Sequence, residues 1–352
     1  MVAPNGCGLQ ARRQPRAPRR SCKSALTFVP LSVDDARRGT PLARADREVV
    51  NASSGISVIV NQGSGLDAGG DAGSEIEALF ASAGARVRLE RVAHGADLPA
   101  RARQAVARGD LVVAAGGDGT VSAVATAAVA ANATFGVLPT GTLNHFAKDI
   151  GMPTDMAAAV QVIVAGRVRR LDAGEVNGRL FINNSSIGIY PRMVWERETE
   201  RKRGMEKRAA FGLAMLRTWQ QYRTLSGRLL VDDAPHAVRT PFIFIGNNDY
   251  VLEGLRLGAR RTLDAGHLSV LVAPDCGRFE ILALPFRALV GRLKTDAGVD
   301  SYTAREVVVE LRRSRVSVAC DGEIVIMRPP LRYRIRPRVL RTIVPAPAAP
   351  GA

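Results

Sequence analysis

The chain has 352 residues, which is long enough for two domains with sizeable cores, and 46% of its residues are apolar, as in globular proteins. Its formal net charge of +16 favours an anionic partner such as a phosphorylated ligand or an anionic membrane surface. Aromatic residues make up only 5% of the chain and no motif that reads bases occurs, so we expect no nucleic acid as a partner. The four cysteines are scattered without zinc-type spacing, which indicates a reducing cytosol and no zinc site.

Residues 1–53 are rich in Arg, Pro, Ser and Ala without hydrophobic periodicity, and this composition predicts a disordered basic tail. The first 23 residues carry six basic side chains and no acidic one. Either a flexible basic tail or translation from a misplaced upstream start codon explains this. Because the start lacks the apolar block of a secretory signal and no apolar run is long enough to cross a bilayer, we expect a cytoplasmic protein.

Strand-like and helix-like segments alternate from residue 56 onward. The predicted strands are 56–60, 86–92, 111–115 and 135–138, and the predicted helices are 75–83, 98–107 and 121–131. This alternation predicts an α/β fold, a doubly wound Rossmann-like nucleotide-binding domain over residues 54–170. In such sheets ligands bind beside the carboxyl ends of the strands, where we expect the loops bearing Asn61, Asp118 and Thr142 to meet.

The segment 111–120, LVVAAGGDGT, carries the clearest functional signal. An apolar strand runs into Gly116, Gly117, Asp118, Gly119 and Thr120, and a helix follows, which is the order of a phosphate-binding loop. The glycines are expected to adopt positive φ and to let the backbone approach a phosphate. The Asp118 carboxylate suits Mg2+ or its waters, and the Thr120 hydroxyl can donate to a phosphate oxygen. The alternative interpretation is a glycine-rich turn in which Asp118 only caps the helix.

Two further loops follow predicted strands in this half. The loop 61–65, Asn-Gln-Gly-Ser-Gly, offers contacts to nucleotide phosphate or ribose, but such clusters are also ordinary turns. The loop 139–146, Pro-Thr-Gly-Thr-Leu-Asn-His-Phe, offers Thr142 and Asn144 to a phosphate or nucleotide, and its alternative is a capped helix start. We interpret His145 as a structural donor rather than a catalytic base.

The second half changes character and predicts a C-terminal β-sandwich domain over residues 171–344. Its β-prone runs are 171–189, 227–245, 266–272 and 306–335. Helical insertions are predicted over 193–225 and 280–293, and the Pro/Ala-rich residues 345–352 predict a loose tail. The segment 192–208 mixes acidic and basic side chains, which is typical of a solvated helix face. Docking of its basic side on anionic lipid is the alternative.

The tripeptide Asp321-Gly-Glu323 follows the apolar run 316–320. Taken alone it predicts a hairpin turn, because Asp-Gly joins many hairpins. The tripeptide also offers a carboxylate for a role that the glycine loop does not fill. Phosphoryl transfer to an alcohol needs an acceptor for the hydroxyl proton, and a carboxylate beside the alcohol suits that role.

Together and in this order, these motifs resemble those of the diacylglycerol kinase catalytic-domain family, which includes bacterial soluble lipid kinases and sphingosine kinase relatives. The loop 116–120 matches the family signature, and the loop 61–65 resembles its Asn-Pro-x-Ser-Gly element. Residues 141–147 match the next family loop, and Asp321-Gly-Glu323 resembles the motif with the catalytic carboxylate. The similarity covers about residues 55 to 340. Gly-Gly-Asp-Gly-Thr alone also marks NAD kinases and phosphofructokinases, so the later motifs make the assignment specific.

The resemblance implies an active site in the cleft between an ATP-binding α/β domain and a β-sandwich domain. It implies nucleotide contacts from Asn61, Ser64, Gly65, Gly116, Gly117, Asp118, Gly119, Thr120, Val121, Ser122 and Thr142. Asp118 would organise the catalytic Mg2+, and Glu323 would be the general base on the lipid hydroxyl.

The family also has a structural metal site in an Asp-Gly-x-Leu turn, which implies Thr262, Asp264 and His267 as metal ligands here. The chain departs from the pattern at this turn, because Ala265 stands where the Asp is expected and Asp264 lies one position early. Two other departures are Gln62 for Pro and Ala93 for a nucleotide-contacting Thr. Neither departure removes a group that the chemistry requires.

The sequence therefore predicts an ATP- and Mg2+-dependent lipid kinase that is cytoplasmic and peripherally associated with an anionic membrane surface, where its lipid substrate lies. It does not name the lipid, and it leaves a homodimer open. Two alternatives remain: a soluble-metabolite kinase of the NAD kinase type, which shares the glycine loop, and a non-catalytic nucleotide- or lipid-binding module. Asp118 and Glu323 argue against the second alternative.

Overall fold

The computed structural model describes residues 48–49, 55–61, 72–93, 95–188, 224–250, 260, 262–275 and 299–346. Several sequence-based predictions lie outside these ranges: residues 1–47 of the basic tail, the site residues Ser64 and Gly65, the segment 192–208, most of both helical insertions, and the end of the C-terminal tail. Residues 45–352 belong to one compact unit by their contacts, so the two halves of the chain can be described together.

The first half is a parallel sheet flanked by helices. Its strands are β2 (Ile56–Asn61), β3 (Val87–Val92), β4 (Leu111–Gly116) and β5 (Thr134–Pro139), in the order β5-β4-β2-β3. Its helices are α1 (Ala72–Ser82), α2 (Leu98–Ala107), α3 (Asp118–Ala130), α4 (His145–Asp149) and α5 (Met156–Ala165). Helices α2 and α3 pack together, and so do α1 and α5. The predicted doubly wound α/β architecture is confirmed.

The order of the strands decides where a ligand would bind. The chain passes from β2 outward to β3 and then returns to the other side of β2 at β4. This reversal opens a crevice between the carboxyl ends of β2 and β4, which are neighbours in the sheet. Asn61 ends β2 and Gly116 ends β4, so the predicted loops meet at that crevice.

The second half is built from antiparallel strands. They are β6 (Arg167–Val176), β7 (Arg179–Phe181), β8 (Asn184–Gly188), β9 (Leu225–Val231), β10 (Ala234–Thr240), β11 (Phe242–Asn247), β12 (Leu268–Val272), β13 (Asp300–Ala304), β14 (Glu306–Leu311), β15 (Val316–Cys320), β16 (Glu323–Met327) and β17 (Leu331–Ile343). One sheet has the order β13-β12-β11-β8-β15-β16. Its inner face packs on strands β9, β14 and β17 through buried residues that include Ile187, Ile243, Val307, Val318 and Tyr333. This arrangement confirms the predicted β-sandwich.

Strand β17 joins the two halves. Its first part pairs with β14 and β6, and its end pairs in parallel with β5, where Arg341 lies opposite Thr134. The register shifts between Arg336 and Leu340, which lets one strand serve both sheets. Strand β6 spans the predicted domain boundary at residue 170, and that boundary stays a prediction. The two-residue strand β1 (Glu48–Val49) pairs with the start of β6, within the stretch predicted as a tail.

Candidate active site

The glycine loop lies between a fully buried strand and a helix. All six residues of β4 are buried, and α3 begins at Asp118 with Gly117 as its N-cap. Gly117 has extended backbone (φ −82°, ψ −175°) and offers no side-chain cap to the first turn. The Thr120 and Val121 amides donate to the Gly117 carbonyl at 2.9 and 3.1 Å. The open start of α3 is therefore suited to an anion, because the first helical N–H groups point along the axis.

None of the glycines of the loop 116–120 has positive φ. Gly116, Gly117 and Gly119 are not among the positive-φ glycines of the described residues, so that part of the prediction is wrong. A Cβ on Gly119 would meet nothing within 4 Å, so close approach does not require glycine there. A Cβ on Gly116 would overlap the Thr120 side chain, and a Cβ on Gly141 would overlap the Gly117 Cα. Two loops from neighbouring strands thus touch through their backbones, which only glycine permits at Gly141.

Asp118 holds the second loop in place. Its Oδ2 accepts the His145 amide at 3.2 Å and its Oδ1 accepts the Phe146 amide at 3.1 Å. Both are first-turn donors of α4, so the carboxylate caps a helix 27 residues away rather than its own. Each oxygen keeps a further lone pair at the mouth of the crevice, because Asp118 is only partly buried.

The loop 139–146 is closed by the Asn144 side chain. Its Oδ1 accepts the Gly141 amide at 3.0 Å, and its Nδ2 donates to the Gly141 carbonyl at 2.7 Å. The Asn144 side chain therefore builds the loop instead of facing a ligand. Thr142 and Leu143 remain exposed at the tip, so Thr142 is available for the predicted nucleotide contact.

The remaining predicted nucleotide-binding side chains differ in what they can reach. Asn61 donates from Nδ2 to the Thr120 hydroxyl at 3.3 Å, which joins the end of β2 to the first turn of α3. Thr120 and Val121 are both buried. The Ser122 hydroxyl donates to Asp321 Oδ2 at 2.8 Å, so it faces the second half of the protein. The nucleotide-binding assignment of these residues stays a prediction.

Asp321 and Gly322 form the two-residue turn between β15 and β16. Their φ values of 49° and 88° are those of a tight hairpin turn, as the Asp-Gly pair predicts. The Asp321 carboxylate accepts four hydrogen bonds: from the Ser122 hydroxyl and from the amides of Ile182 (2.8 Å), Asn183 (2.8 Å) and Asn184 (3.2 Å). Burial raises the pKa of Asp321, and these donors oppose the rise. The turn is thereby fixed against α3.

Glu323 lies immediately after this turn and is accessible. Its side chain is 60% exposed and forms an ion pair with Arg179, which lies on β7. Within the described part of the chain, the buried Nε of Arg179 has no acceptor. A carboxylate that is open to solvent and oriented by a neighbouring side chain can be reached by an incoming hydroxyl, which is the geometric requirement for a general base.

Two of the three predicted structural metal ligands have other side chains as partners. Asp264 pairs with Arg169 at 2.9 Å, His267 Nε2 lies 2.7 Å from Asp249, and Thr262 is exposed. The Gly266 amide instead donates to buried Asp172 at 2.7 Å. In the residues that the structure describes, no group of three His, Cys, Asp or Glu side chains is placed to hold a metal ion. The metal assignment of Thr262, Asp264 and His267 stays a prediction without structural support.

Comparison with known proteins follows the same division of the chain. The model of the diacylglycerol kinase catalytic domain matches residues 55–176, and the model of the YegS C-terminal NAD kinase beta sandwich-like domain matches residues 190–344. The Probable lipid kinase YegS-like protein of Pseudomonas aeruginosa is 30% identical over 244 residues, 67% of this chain and 76% of that protein. The chain belongs to the diacylglycerol kinase catalytic domain family. The diacylglycerol kinase of Bacillus subtilis is 26% identical over 259 residues, 71% of this chain and 83% of that kinase.

Solved structures show the same fold for this kinase. A Bacillus anthracis diacylglycerol kinase superposes with a TM-score of 0.60 at 16% identity, covering 84% of this chain and 97% of that one. A second Bacillus anthracis structure gives a TM-score of 0.66 at 20% identity, with 84% and 96% covered. The kinase is therefore a phosphotransferase, and its family membership implies ATP as the phosphate donor. No helix in the described ranges is long and apolar enough to cross a membrane.

A network of polar side chains around Arg260, Asn247 and Tyr250 was not predicted from the sequence. Arg260 binds Asp149 and the Ile182 carbonyl, and Asn247 Nδ2 donates to the carbonyls of Asp172 and Ile182 at 2.9 and 2.8 Å. Burial raises the pKa of Tyr250 to about 12, so its hydroxyl stays neutral and donates to Asn183. The sequence signal for this network was the run Gly246-Asn-Asn248, which lies at the end of a strand of alternating burial. Side-chain amides that are buried there need hydrogen-bond partners.

Proposed function

We propose that this kinase transfers the γ-phosphate of ATP to the hydroxyl group of a membrane lipid, with Asp118 and the glycine loop serving the nucleotide and Glu323 serving the lipid. The observation that carries the proposal is the 2.8 Å hydrogen bond from Ser122 to Asp321. Ser122 lies one helical turn after Asp118, and Asp321 lies two residues before Glu323. The bond therefore links the helix of the donor loop to the hairpin that carries the candidate base, and this link supports a shared crevice.

The donor side supplies position and positive potential. The uncapped start of α3 offers backbone N–H groups to the phosphates, and the close contact between Gly117 and Gly141 leaves no side chain in their way. The exposed Thr142 hydroxyl and the Asn61 amide lie on the loops that border this position. Phosphoryl transfer depends mainly on such positioning and on charge stabilisation.

Asp118 has the chemistry to hold Mg2+. Its carboxylate is partly exposed, and each oxygen has one backbone donor and a lone pair to spare. Its two amide contacts hold the carboxylate between the start of α3, where Asp118 lies, and the start of α4, which donates to it. When bound there, Mg2+ supplies positive charge to the phosphate oxygens that gain charge during transfer.

The acceptor side supplies the base. Glu323 is exposed, and its ion pair with Arg179 fixes one oxygen while the other remains open. The neighbouring Asp321 is unsuited to this role because its four acceptor positions are already used by protein donors. Glu323 can therefore take the hydroxyl proton as the oxygen attacks the γ-phosphate.

An apolar face beside Glu323 supports a lipid as the acceptor. On the six-stranded sheet, the row opposite the core face runs through Ile324, Ala319, Ser186, Phe244 and Leu271, which pair in register. The row begins one residue after Glu323. Its side chains are small or apolar, but Ala319 and Ser186 at its centre are buried, so the partly exposed Ile324, Phe244 and Leu271 are the ones that we propose to contact an acyl chain.

Two exposed apolar side chains support peripheral membrane contact. Leu143 is 57% exposed on the donor loop, and Ile326 is 67% exposed three residues after Glu323. With a net charge of +16, these residues suit an anionic bilayer surface that presents the lipid to the crevice. A cytoplasmic protein with peripheral membrane association is the localisation that we propose.

The test uses purified protein, ATP labelled at the γ-phosphate, and vesicles made from a total lipid extract. We expect a labelled lipid, and we expect Glu323→Gln to reduce its formation by about 100- to 10,000-fold, since proton transfer alone contributes that much. Asp118→Ala should abolish it, because the phosphates lose the group proposed to hold Mg2+. Glu310→Gln, an exposed carboxylate on β14, is the matched control and should match the wild type.

The same assay with NAD in place of lipid separates the alternatives. A phosphorylated NAD product with no labelled lipid would replace our proposal by a metabolite kinase that shares the glycine loop. ATP binding without transfer to either acceptor would indicate a non-catalytic module. Wild-type turnover in Glu323→Gln would remove Glu323 from the role of base.

A further inference from the structure

Arg260 is a buried cation that no functional motif contains. Its side chain is 1% exposed. Its Nε donates to Asp149 Oδ2 at 2.7 Å, its Nη1 donates to the Ile182 carbonyl at 2.6 Å, and its Nη2 donates to Asn183 Oδ1 at 3.1 Å. One guanidinium thus joins two elements that lie more than 30 residues apart, since Asp149 ends α4 and Ile182 follows β7.

On the donor side, Arg260 reaches the glycine loop through a single short helix. Asp149 is the last residue of α4, and the first amides of α4 are held by Asp118. The guanidinium carbon also lies 5.8 Å from the centre of the Phe146 ring, within the range of a cation–π contact. Because α4 has only five residues, its two ends cannot move independently.

On the acceptor side, Arg260 reaches the base through one carboxylate. Ile182 and Asn183 accept from Arg260 through oxygen atoms, and both donate their amides to Asp321 at 2.8 Å. Asp321 begins the turn that ends at Glu323. The position of the turn is therefore set by the same two residues that the guanidinium holds.

The Ser122–Asp321 bond closes these contacts into a ring. Starting from Asp118, the ring runs through α4 to Asp149, through Arg260 to Ile182 and Asn183, and through Asp321 to Ser122 on α3. We propose that Arg260 is a positioning residue that fixes Glu323 relative to the glycine loop by holding α4 and the residues 182–183 together. This inference rests on the proposed function, because it assigns Arg260 to the alignment of the two sides of that reaction.

The chemistry of arginine explains why this position holds no other cation. Three acceptors in different directions need a planar group with several donors, and a lysine ammonium cannot contact all three from one stem. Alignment matters because a misplacement of about 1 Å between reacting groups can lower turnover by about 100-fold. A residue far from the phosphate can therefore control the rate without touching a substrate.

The experiment measures kcat for lipid phosphorylation and the Kd for ATP in Arg260→Met, with Arg239→Met as control. Arg239 also pairs with a carboxylate, Asp275, but its side chain is 70% exposed. We expect Arg260→Met to lower kcat by about 100-fold. The Kd for ATP of the folded protein should not change, and the control should match the wild type. Arg260→Lys should recover only part of the loss.

The decisive readout is the same substitution in a Glu323→Gln background. If Arg260 acts by placing Glu323, then Arg260→Met causes no further loss once the base is gone. An equal loss in both backgrounds would assign Arg260 to general stability and overturn the inference, as would wild-type kcat in Arg260→Met.

Two further outcomes are informative. If Arg260→Met does not fold, Asp149→Asn carries the test, because it keeps the shape of the Arg260 partner and removes its charge. Asp149→Asn is then expected to show the same dependence on Glu323, and its failure to do so overturns the inference. The first measurement of the series is the lipid kinase assay of the wild type. If the wild type phosphorylates no lipid, the proposed function itself is refuted.

Discussion

The Ser122 hydroxyl donates to the Asp321 carboxylate across 199 positions of sequence, and this 2.8 Å bond joins the helix of the glycine loop to the hairpin of the β-sandwich. The same carboxylate holds three consecutive amides, those of Ile182, Asn183 and Asn184. Asp321 is therefore an anchor, whereas the neighbouring Glu323 is 60% exposed and pairs with Arg179. The two carboxylates of one hairpin thus have different surroundings, which is why we propose the base role for Glu323 and not for Asp321.

We predict that Asp321→Asn weakens both the fold and the turnover. Asparagine tolerates the left-handed backbone of this turn, but its NH2 group must replace an oxygen that now accepts from two donors. At least one buried amide loses its acceptor, which costs about 1–3 kcal/mol in the free energy of unfolding. Urea denaturation and lipid kinase assays measure the two effects.

The control is Asp233→Asn, which changes an exposed aspartate with positive φ in the turn after β9. Its stability and kcat should equal those of the wild type. A stable Asp321→Asn protein with normal kcat would show that the turn does not need this anchor.

The sequence predicted the elements well because each carries a local signal. Buried β4 is an unbroken apolar run, the glycines mark its end, and Asp-Gly marks the hairpin at residue 321. Positive φ at Gly116 was predicted and is wrong, because close approach and left-handed backbone both leave the same signature, a missing Cβ. The structure separates close approach from left-handed backbone, because a Cβ on Gly116 would overlap the Thr120 side chain and a Cβ on Gly141 would overlap the Gly117 Cα.

We predict that Gly141→Ala disrupts the donor side specifically. A Cβ at this position would overlap the Gly117 backbone, so the two loops must separate at a cost of about 1–3 kcal/mol. Isothermal titration should show weaker ATP binding, because the start of α3 moves relative to the loop 139–146. Gly95→Ala is the matched control, since its Cβ would meet open space. Unchanged ATP affinity in Gly141→Ala would contradict a nucleotide site between these loops.

Long-range pairs set the limit of what the sequence predicts. The contacts of Asp118 with the first amides of α4 were not predicted, and its role toward Mg2+ stays a prediction. The pairs that Asp264 and His267 form with Arg169 and Asp249 were not predicted either, and their assignment to a metal stays untested. Such partners are fixed by tertiary packing. Arg260 lies 111 positions from Asp149 and 78 from Ile182, and no sequence periodicity predicts a contact over such distances.

The amino end of the sheet provides a prediction about pH. Asp110 accepts from Ser57 at 2.6 Å and from Arg108 at 3.1 Å. Burial opposes ionisation, but the hydrogen bonds and charges of Ser57, Arg108 and Arg88 outweigh it and lower the pKa of Asp110. A lowered pKa in the folded state stabilises the protein at pH values above the ordinary value of 3.8, and this stabilisation disappears as the pH falls through the folded-state pKa.

We therefore predict that Asp110→Asn is less stable than the wild type at neutral pH and that this difference shrinks below about pH 4. Urea denaturation across about pH 7 to pH 3 measures it. The exposed Asp300→Asn should show no such trend. A constant difference at all pH values would show that shape, and not charge, explains the role of Asp110.

Membrane contact gives the last prediction, because Leu143 on the loop 139–146 and Ile326 on β16 expose large apolar side chains. Burying one such side chain in a bilayer contributes up to about 1.5–3 kcal/mol, so the double variant Leu143→Ser/Ile326→Ser should bind anionic vesicles at least about 10-fold more weakly. The Kd for ATP should stay close to that of the wild type, since neither side chain has a hydrogen-bonding group to offer a phosphate. Vesicle sedimentation at two salt concentrations separates this apolar contribution from the electrostatic one, because only the latter weakens with salt. Equal sedimentation of the variant and the wild type would place the membrane-facing surface elsewhere on the protein.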